Sequence, residues 1–320
     1  MFTLTFATPD DVRAITQHFR AHAPEAPVSL RDEHKLAELM RFQEIVPLLA
    51  RDAHGALLGC AMARPQPWNR SLRLATRACA PGPLAEQVDQ ALFEGLLHLG
   101  WEQYGLVFFH VTDEHEFRRA TRAGASCWGF LPPPIRRTFE GAALIMGAFN
   151  EQVEPDRVEA PLNTLTNLTF CRKIIQTYGR GKPFADYPNV YPVGEQRGTG
   201  VPVVAGQVWP TFNSRENTLT IERVAGPYPM DTIRTFIRKL HAKGVRDIRL
   251  KIPVSHEQVF VDLWGMGFRA TSYWPGWYIH GNYRYDCVEL IAGLPSPSRE
   301  RATTFVERVV HKLLDTMQLV

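Results

Sequence analysis

The stretch Ala56-Leu57-Leu58-Gly59-Cys60-Ala61-Met62, followed after a turn by Leu72-Arg73-Leu74-Ala75-Thr76-Arg77-Ala78-Cys79-Ala80-Pro81, has an echo later in the chain. It returns as Val203-Val204-Ala205-Gly206-Gln207-Val208-Trp209 and, after a second turn, Leu219-Thr220-Ile221-Glu222-Arg223-Val224-Ala225-Gly226-Pro227. Each copy continues with an amphipathic helix, a short apolar strand, another helix and a small turn. That turn is Ala123-Gly124-Ala125 in the first copy and Met266-Gly267-Phe268 in the second. The offsets are 206 − 59 = 147, 227 − 81 = 146 and 267 − 124 = 143. Features kept in one order at a slowly drifting offset mark an internal duplication. Two copies are too few for a solenoid. The expected organisation is a domain over residues 1–150, a linker at 151–161, a second domain over 162–298 and a C-terminal helix over 299–320.

Composition agrees with that division. A chain of 320 residues suits about two domains, each able to bury its own core. A hydrophobic share of 45% beside 22% charged residues is that of a folded globular protein. The net charge of +3, with no block of like charges, gives no reason to expect a nucleic-acid partner. Cys60, Cys79, Cys127, Cys171 and Cys287 are scattered without a paired spacing, which argues against a disulfide framework and a zinc cluster. Met1-Phe2-Thr3-Leu4 soon meets Asp10-Asp11, unlike a secretory leader, and no run of 18 apolar residues occurs. The expectation is a cytoplasmic protein with no membrane partner.

Along the first copy, Thr3 to Ala7 reads as a strand. Thr8-Pro9-Asp10-Asp11 supplies a capping hydroxyl, a first-turn proline and two acids for the helix that follows. A second helical pattern covers Leu30 to Phe42. Strands are expected at Ile45 to Arg51, Leu57 to Arg64 and Leu72 to Ala78, the first two joined by the turn Asp52-Ala53-His54-Gly55. Leu84 to Gln103 is a helix with Val88, Leu92, Leu96 and Leu97 on one face. The continuous apolar run Leu106 to Val111 reads as a buried strand. A short helix at Glu114 to Ala123 and strands near Trp128 to Leu131 and Ala142 to Phe149 close the copy. The second copy repeats the order: a helix at Leu165 to Tyr178, strands near Asn189 to Val193, Val203 to Trp209 and Thr218 to Val224, and a helix at Asp231 to Lys243. A strand at Asp247 to Ile252, a helix at Ser255 to Trp264 and a closing strand at Arg284 to Ile291 follow. Arg299 to Leu319 is a last amphipathic helix, expected to brace the two copies.

This order defines an α/β domain with a mixed sheet, and it resembles the GNAT superfamily of acetyltransferases in a tandem arrangement. The resemblance covers nearly the whole chain apart from the linker and the last helix. Its most specific part is His256-Glu257-Gln258-Val259-Phe260-Val261-Asp262-Leu263-Trp264-Gly265-Met266-Gly267-Phe268, similar to the family's helix leading into a Gly-Phe turn. The resemblance implies an acyl donor, acetyl-CoA or another acyl-CoA, held where the third meander strand feeds a helix. By position that makes Val224, Ala225, Gly226 and Tyr228 the cofactor-binding residues. The sequence departs from the family there. Ala80-Pro81-Gly82-Pro83-Leu84 and Gly226-Pro227-Tyr228-Pro229-Met230 lack the family's glycine spacing, and each carries two prolines without an N–H. A second departure lies four residues before the glycine of the Gly-Phe turn. The family often has a tyrosine there to reprotonate the leaving thiolate; this chain has Leu263 and Ala120.

Candidate side chains concentrate in the second copy. Glu222, on the third meander strand, is placed to remove a proton from an acceptor ammonium, or is an exposed strand carboxylate. His256 ends the central strand where the family often has asparagine; it is a base, a thioester-orienting group or a solvated helix-start residue. Arg77 and Arg223 occupy equivalent positions (223 − 77 = 146) and suit either a clamp on a substrate anion or a structural ion pair. The run Tyr273-Trp274-Pro275-Gly276-Trp277-Tyr278 begins a segment with six aromatic residues in fourteen. Tyr273, Trp274 and Trp277 could receive an acceptor substrate, with Tyr278 as the acid, or the segment could pack between the copies. His110-Val111-Thr112-Asp113-Glu114-His115-Glu116 contains potential metal ligands, but its acids are explained by a helix N-terminus, so no metal is assigned. The expected function is acyl transfer from acyl-CoA, or another acyl thioester, to an amine or hydroxyl of a small metabolite. The alternative is a degenerate or repurposed GNAT-like protein that binds a ligand or partner without acyl-CoA-dependent transfer.

Overall fold

The computed structural model describes residues 1–133, 141–160, 168–178, 181, 191–192, 208–213, 218–224, 230–245, 247–294 and 304–317. It divides into two compact units, Met1–Phe109 and His110–Val320.

In the first unit, strands β1 (Phe2–Phe6), β2 (Val46–Asp52), β3 (Leu57–Gln66) and β4 (Ser71–Cys79) form an antiparallel run. β5 (Leu106–Val111) joins β4 in parallel. The Thr8 backbone N–H donates to Asp11 at 2.8 Å and starts the turn that leads into α1 (Val12–His22). The expected second helix is two pieces, α2 (Val28–Arg31) and α3 (Glu33–Arg41). Asp32 divides them because its carboxylate accepts from the Lys35 N–H at 3.0 Å, a cap that requires extended backbone. These helices bury Ile15, Phe19, Leu30 and Leu36 with Leu49, Cys60 and Met62 of the sheet. α4 (Ala85–Leu99) approaches β3 so closely that a Cβ on Gly59 would lie 2.7 Å from Val88. The helix expected to reach Gln103 passes into a π-turn at Gly100–Tyr104, and Gly105 (φ +73°) ends it in the left-handed region.

The second unit holds α5 (Glu114–Arg122), β6 (Ser126–Leu131), β7 (Ala143–Phe149) and β8 (Asp156–Arg157), then α6 (Thr169–Tyr178), β9 (Tyr191–Pro192), β10 (Val208–Asn213) and β11 (Thr218–Val224). It continues with α7 (Met230–Ala242), β12 (Asp247–Pro253), α8 (Glu257–Gly265), β13 (Arg269–His280), β14 (Tyr283–Ala292) and α9 (Phe305–Thr316). Its sheet runs β10-β11-β12-β14-β13, continued through β6 to β7, with β11 and β12 parallel and the other neighbours antiparallel. This mixed α/β topology is the one expected from the order of elements. The expected strand at Val203 to Trp209 falls mostly outside the described residues.

Two local features recur at the sequence offset. In α5, Ala125 N–H donates to Ala120 O at 3.0 Å past Gly124 (φ +89°); after α8, Phe268 N–H donates to Leu263 O at 3.1 Å past Gly267 (φ +91°). Both are helix ends closed by a left-handed glycine. The β6–β13 rung pairs Gly129 with Ser272, its counterpart at 272 − 129 = 143, as a local two-fold relation would. Only glycine serves at 129: φ is +139°, and a Cβ would lie 2.1 Å from Thr271 O.

The segment 151–161, expected as a linker, carries a structural anchor. Arg157 is 2% exposed and grips Asp286 of β14 with Nε and Nη2, each at 2.7 Å. The same carboxylate accepts from the Gly276 N–H at 2.8 Å and from the Tyr273 hydroxyl, while Arg157 Nη1 donates to Glu151 at 2.8 Å and to Tyr178 O at 3.2 Å. The last helix, α9, packs on α6, β6 and β7, and Phe305 meets Phe117 of α5 at 5.2 Å.

Two stability changes follow. Nothing lies within 4 Å of a Cβ built on Gly267, so Gly267→Ala isolates the left-handed backbone cost: a loss of about 1–2 kcal/mol in urea unfolding. Arg157→Met leaves Asp286 buried without its cation and should cost about 3–5 kcal/mol, whereas Arg157→Met with Asp286→Leu should recover much of that loss.

Candidate functional site

A parallel strand pair that begins together and then separates leaves a gap at its C-terminal ends, where α/β sheets commonly receive ligands. Both halves of the chain contain such a pair, and in the second β9 pairs with β11 at Arg223 and Val224, past the last parallel rung. The β4–β5 ladder pairs Ser71 with Leu106 and ends at Arg73 beside Phe108, although β4 continues to Cys79. The β11–β12 ladder pairs Thr218 with Asp247 and ends at Ile221 beside Leu250, although β11 continues to Val224 and β12 to Pro253. Glu222, Arg223 and Val224 therefore lie on the strand beyond the last parallel rung, and Arg77 lies on the equivalent part of β4. Ala225, Gly226 and Tyr228 lie outside the described residues.

In the first copy, side chains bridge the separation. Arg77 Nε donates to Asp89 of α4 at 2.9 Å, and its guanidinium lies 5.2 Å from the centre of the Phe93 ring. Phe93 meets Phe109 of β5 edge-on at 5.2 Å. Arg77 is thus engaged in an ion pair. The loop before α4 has few groups to offer an anion. Ala80 N–H donates to Leu58 O at 2.8 Å, Ala85 N–H donates to Gly82 O at 3.1 Å, and Pro81 and Pro83 have none. Glu86 adds a negative charge to the first turn. The two prolines thus remove two donors from the loop that precedes α4.

In the second copy, β12 ends at Pro253 and a turn through Val254 and Ser255 leads to His256 at the start of α8. The N-cap at the equivalent place in the first copy is Asp113 (256 − 113 = 143), whose carboxylate accepts from the Glu116 N–H at 2.8 Å. His256 replaces that cap and makes no side-chain capping bond. A poor cap at the end of a central strand breaks a local rule where chemistry is expected. Partial burial lowers the His256 pKa to about 4, so the ring is neutral at physiological pH. Beside it, Ser255 Oγ is buried without a hydrogen-bond partner among the described residues. Val254 N–H donates to Asp286 O at 3.0 Å, so this turn hangs on the residue that Arg157 grips.

The aromatic segment is core. Tyr273, Trp274, Trp277 and Tyr278 are all 3% exposed or less. Tyr273 donates to Asp286, and burial, then the Asp286 charge, raises its pKa well above the usual range. Trp274 Nε1 donates to Ser272 Oγ at 2.7 Å and to Glu289 at 3.2 Å, and its ring lies 6.0 Å from Trp128 of β6. The segment thus packs against β6 within the second unit. Tyr278 pairs with Tyr285 on β14, in the row that continues past the end of β12. Two strand spacings, about 10 Å, separate that row's outer tyrosine from the line of β12.

Sequence reasoning missed Arg157, Asp286, Lys251 and Glu289. Lys251 sits 4.5 Å from the Trp274 ring and 4.7 Å from Trp277, with Glu289 at 3.7 Å. Burial pushes the Glu289 carboxyl up, but Lys251, Arg249 and bonds from Ser272 and Trp274 outweigh it and leave the pKa lowered. The available signal was the charged residues Arg284, Asp286 and Glu289 inside an otherwise apolar strand, since buried charges require partners. Among the described residues, no group of three or more His, Cys, Asp or Glu side chains is placed to share a metal ion. No described helix is long and apolar enough to cross a membrane.

No protein-family model matches the sequence, and no curated protein sequence matches it. Solved structures similar to it are acetyltransferases. A spermidine N-acetyltransferase chimera from Vibrio cholerae shares 17% identity over 47% of this chain and 96% of its own, with TM-score 0.39. A GNAT superfamily phosphinothricin acetyltransferase from Sinorhizobium meliloti, in complex with AcCoA, shares 16% over 47% and 89%, with TM-score 0.38. An aminoglycoside 6'-N-acetyltransferase from Enterococcus faecium shares 16% over 46% and 96%, with TM-score 0.38. Each match spans just under half of this chain.

The His256 environment is directly measurable. Its Cε1–H resonance should titrate with a midpoint near 4, against about 6.5 for a free imidazole. Because the folded pKa is depressed, the stability it supports is present above about pH 6.5 and declines as pH falls toward the folded value. His256→Asn should flatten that part of the stability profile.

Proposed function

We propose that this protein is an acyltransferase that moves an acyl group from a thioester to an amine or hydroxyl of a small metabolite, using the second copy. The observation that carries this reading is the separation of β11 from β12 beyond Ile221 and Leu250, with a neutral histidine at the end of β12. β9 pairs with β11 at Arg223 and Val224, so the backbone N–H groups that would polarise a thioester carbonyl are those of β12 past Leu250. The acceptor nitrogen attacks the carbonyl carbon, a C–N bond forms and the C–S bond breaks. The proton lost by the acceptor goes to Glu222 or His256, and the thiolate takes one from water, because Tyr278 is buried in the core two strands from β12. Arg223, on the same strand as Glu222, would hold an anionic part of the acceptor.

A non-catalytic role is favoured for the first copy. Arg77, Asp89, Phe93 and Phe109 bridge its strand separation, and an ion pair occupies its arginine. The segment around Tyr273 and Trp274 serves as core that holds the second sheet rather than as an open acceptor wall. Small-molecule recognition would then fall to groups beside β11 and α8.

Thiol release from S-acyl thioesters, measured against a panel of small amines and alcohols, tests the reading. Glu222→Gln or His256→Asn should lower kcat by about 10²-fold or more while both variants remain folded at the assay pH, kept above about 6.5. Full turnover in both variants would remove them from the mechanism.

A further inference from the structure

We propose that β1 is a self-complementary edge through which two copies of this chain join their first-unit sheets, antiparallel about a two-fold axis at Leu4. β1 ends the order of described strands and pairs with β2 alone among them. Sheet edges normally carry a charge, a proline or a bulge that blocks pairing with another chain. β10, the outer described strand of the second unit's sheet, carries Pro210 and a register break beside Trp209. β1 has no such feature. Phe2-Thr3-Leu4-Thr5-Phe6 contains neither charge nor proline, and its five residues pair with β2 in sequence without a bulge. Phe2 is half-buried, and the next four residues are exposed, Leu4 at 37% and Phe6 at 52%.

The occupant is a second copy because the strand reads the same in both directions. A two-fold axis at Leu4 sets Phe2 opposite Phe6 of the second copy, Thr3 opposite its Thr5 and Leu4 opposite its own counterpart. Each contact is thereby made twice, as an isologous interface requires. Aromatic pairs and threonine pairs across antiparallel strands are both favourable, and no like charges face each other. The outward N–H and C=O groups of β1 gain partners in the same step. So short a ladder makes a small interface and a weak dimer, with a dissociation constant on the order of 10–100 μM.

Sedimentation of the full chain across about 1–500 μM tests the pairing, and reversible dimerisation is the expected result. Thr3→Lys with Thr5→Lys sets like charges opposite each other on two rungs and should raise the dissociation constant about 10-fold or more. Thr3→Lys with Thr5→Glu turns the same rungs into opposite-charge pairs and should return it to within about threefold of the original. Both positions are exposed, so both variants keep the fold, which their melting profiles check. A monomer at every concentration overturns the proposal, as does equal association of the two charged variants, which marks another surface or register. Leu4→Cys supplies a second measurement. Its opposed Cα atoms lie about 4.5–5.5 Å apart, within disulfide reach, whereas those of Thr5→Cys lie about 7–8 Å apart. With the unsubstituted chain as control, mild oxidation should cross-link Leu4→Cys and not Thr5→Cys. The reverse, or a cross-link in neither, counts against the proposal.

Discussion

The Asp286 carboxylate is the constraint around which the second unit is built. It accepts two bonds from Arg157, one from the Gly276 N–H and one from the Tyr273 hydroxyl. A buried carboxylate is tolerated only when its lone pairs are filled and its charge is met. Meeting that demand ties β8 to β14, fixes the irregular stretch of β13 between Trp274 and Tyr278, and holds the end of α6 through Tyr178 O. The main chain of the same residue anchors Val254, two residues before His256. Electrostatics in the core and geometry at the candidate site therefore share one residue.

The second constraint is the parallel ladder that stops early. After Ile221 and Leu250 the two strands no longer satisfy one another; β9 pairs with Arg223 and Val224 of β11, and the β12 groups need other partners. In the first copy, α4 brings Asp89 and Phe93 onto this region and a salt bridge and aromatic contacts bridge it. In the second, the described residues at the strand ends include a neutral histidine and a hydroxyl without a described partner. The two parallel pairs thus differ in the side chains around them and in the added strand β9.

Helix ends illustrate how local physics was readable in advance. Gly124 and Gly267 mark left-handed helix exits because no other residue adopts that backbone freely, so both exits were readable from the sequence. Thr8-Pro9-Asp10-Asp11 announced a helix start for the same local reason. Asp32 was harder: its side chain competes with a continuing helix, and a periodicity of apolar residues runs through that competition unbroken. The aromatic run at Tyr273 to Tyr278 was legible as unusual but not as core. Its burial depends on β6, more than 140 residues earlier in the chain.

The sequence by itself determined much of the order of elements, the α/β class and the prolines that deprive the loop before α4 of two N–H groups. These follow from backbone chemistry acting over a few residues: apolar period, missing N–H groups and left-handed glycines. Tertiary structure alone decided that Arg77 belongs to Asp89, that Arg157 belongs to Asp286 and that His256 is neutral. Each depends on which distant atoms surround a charge, because burial and the nearest opposite charge set its energy, and neither can be read from neighbours along the chain.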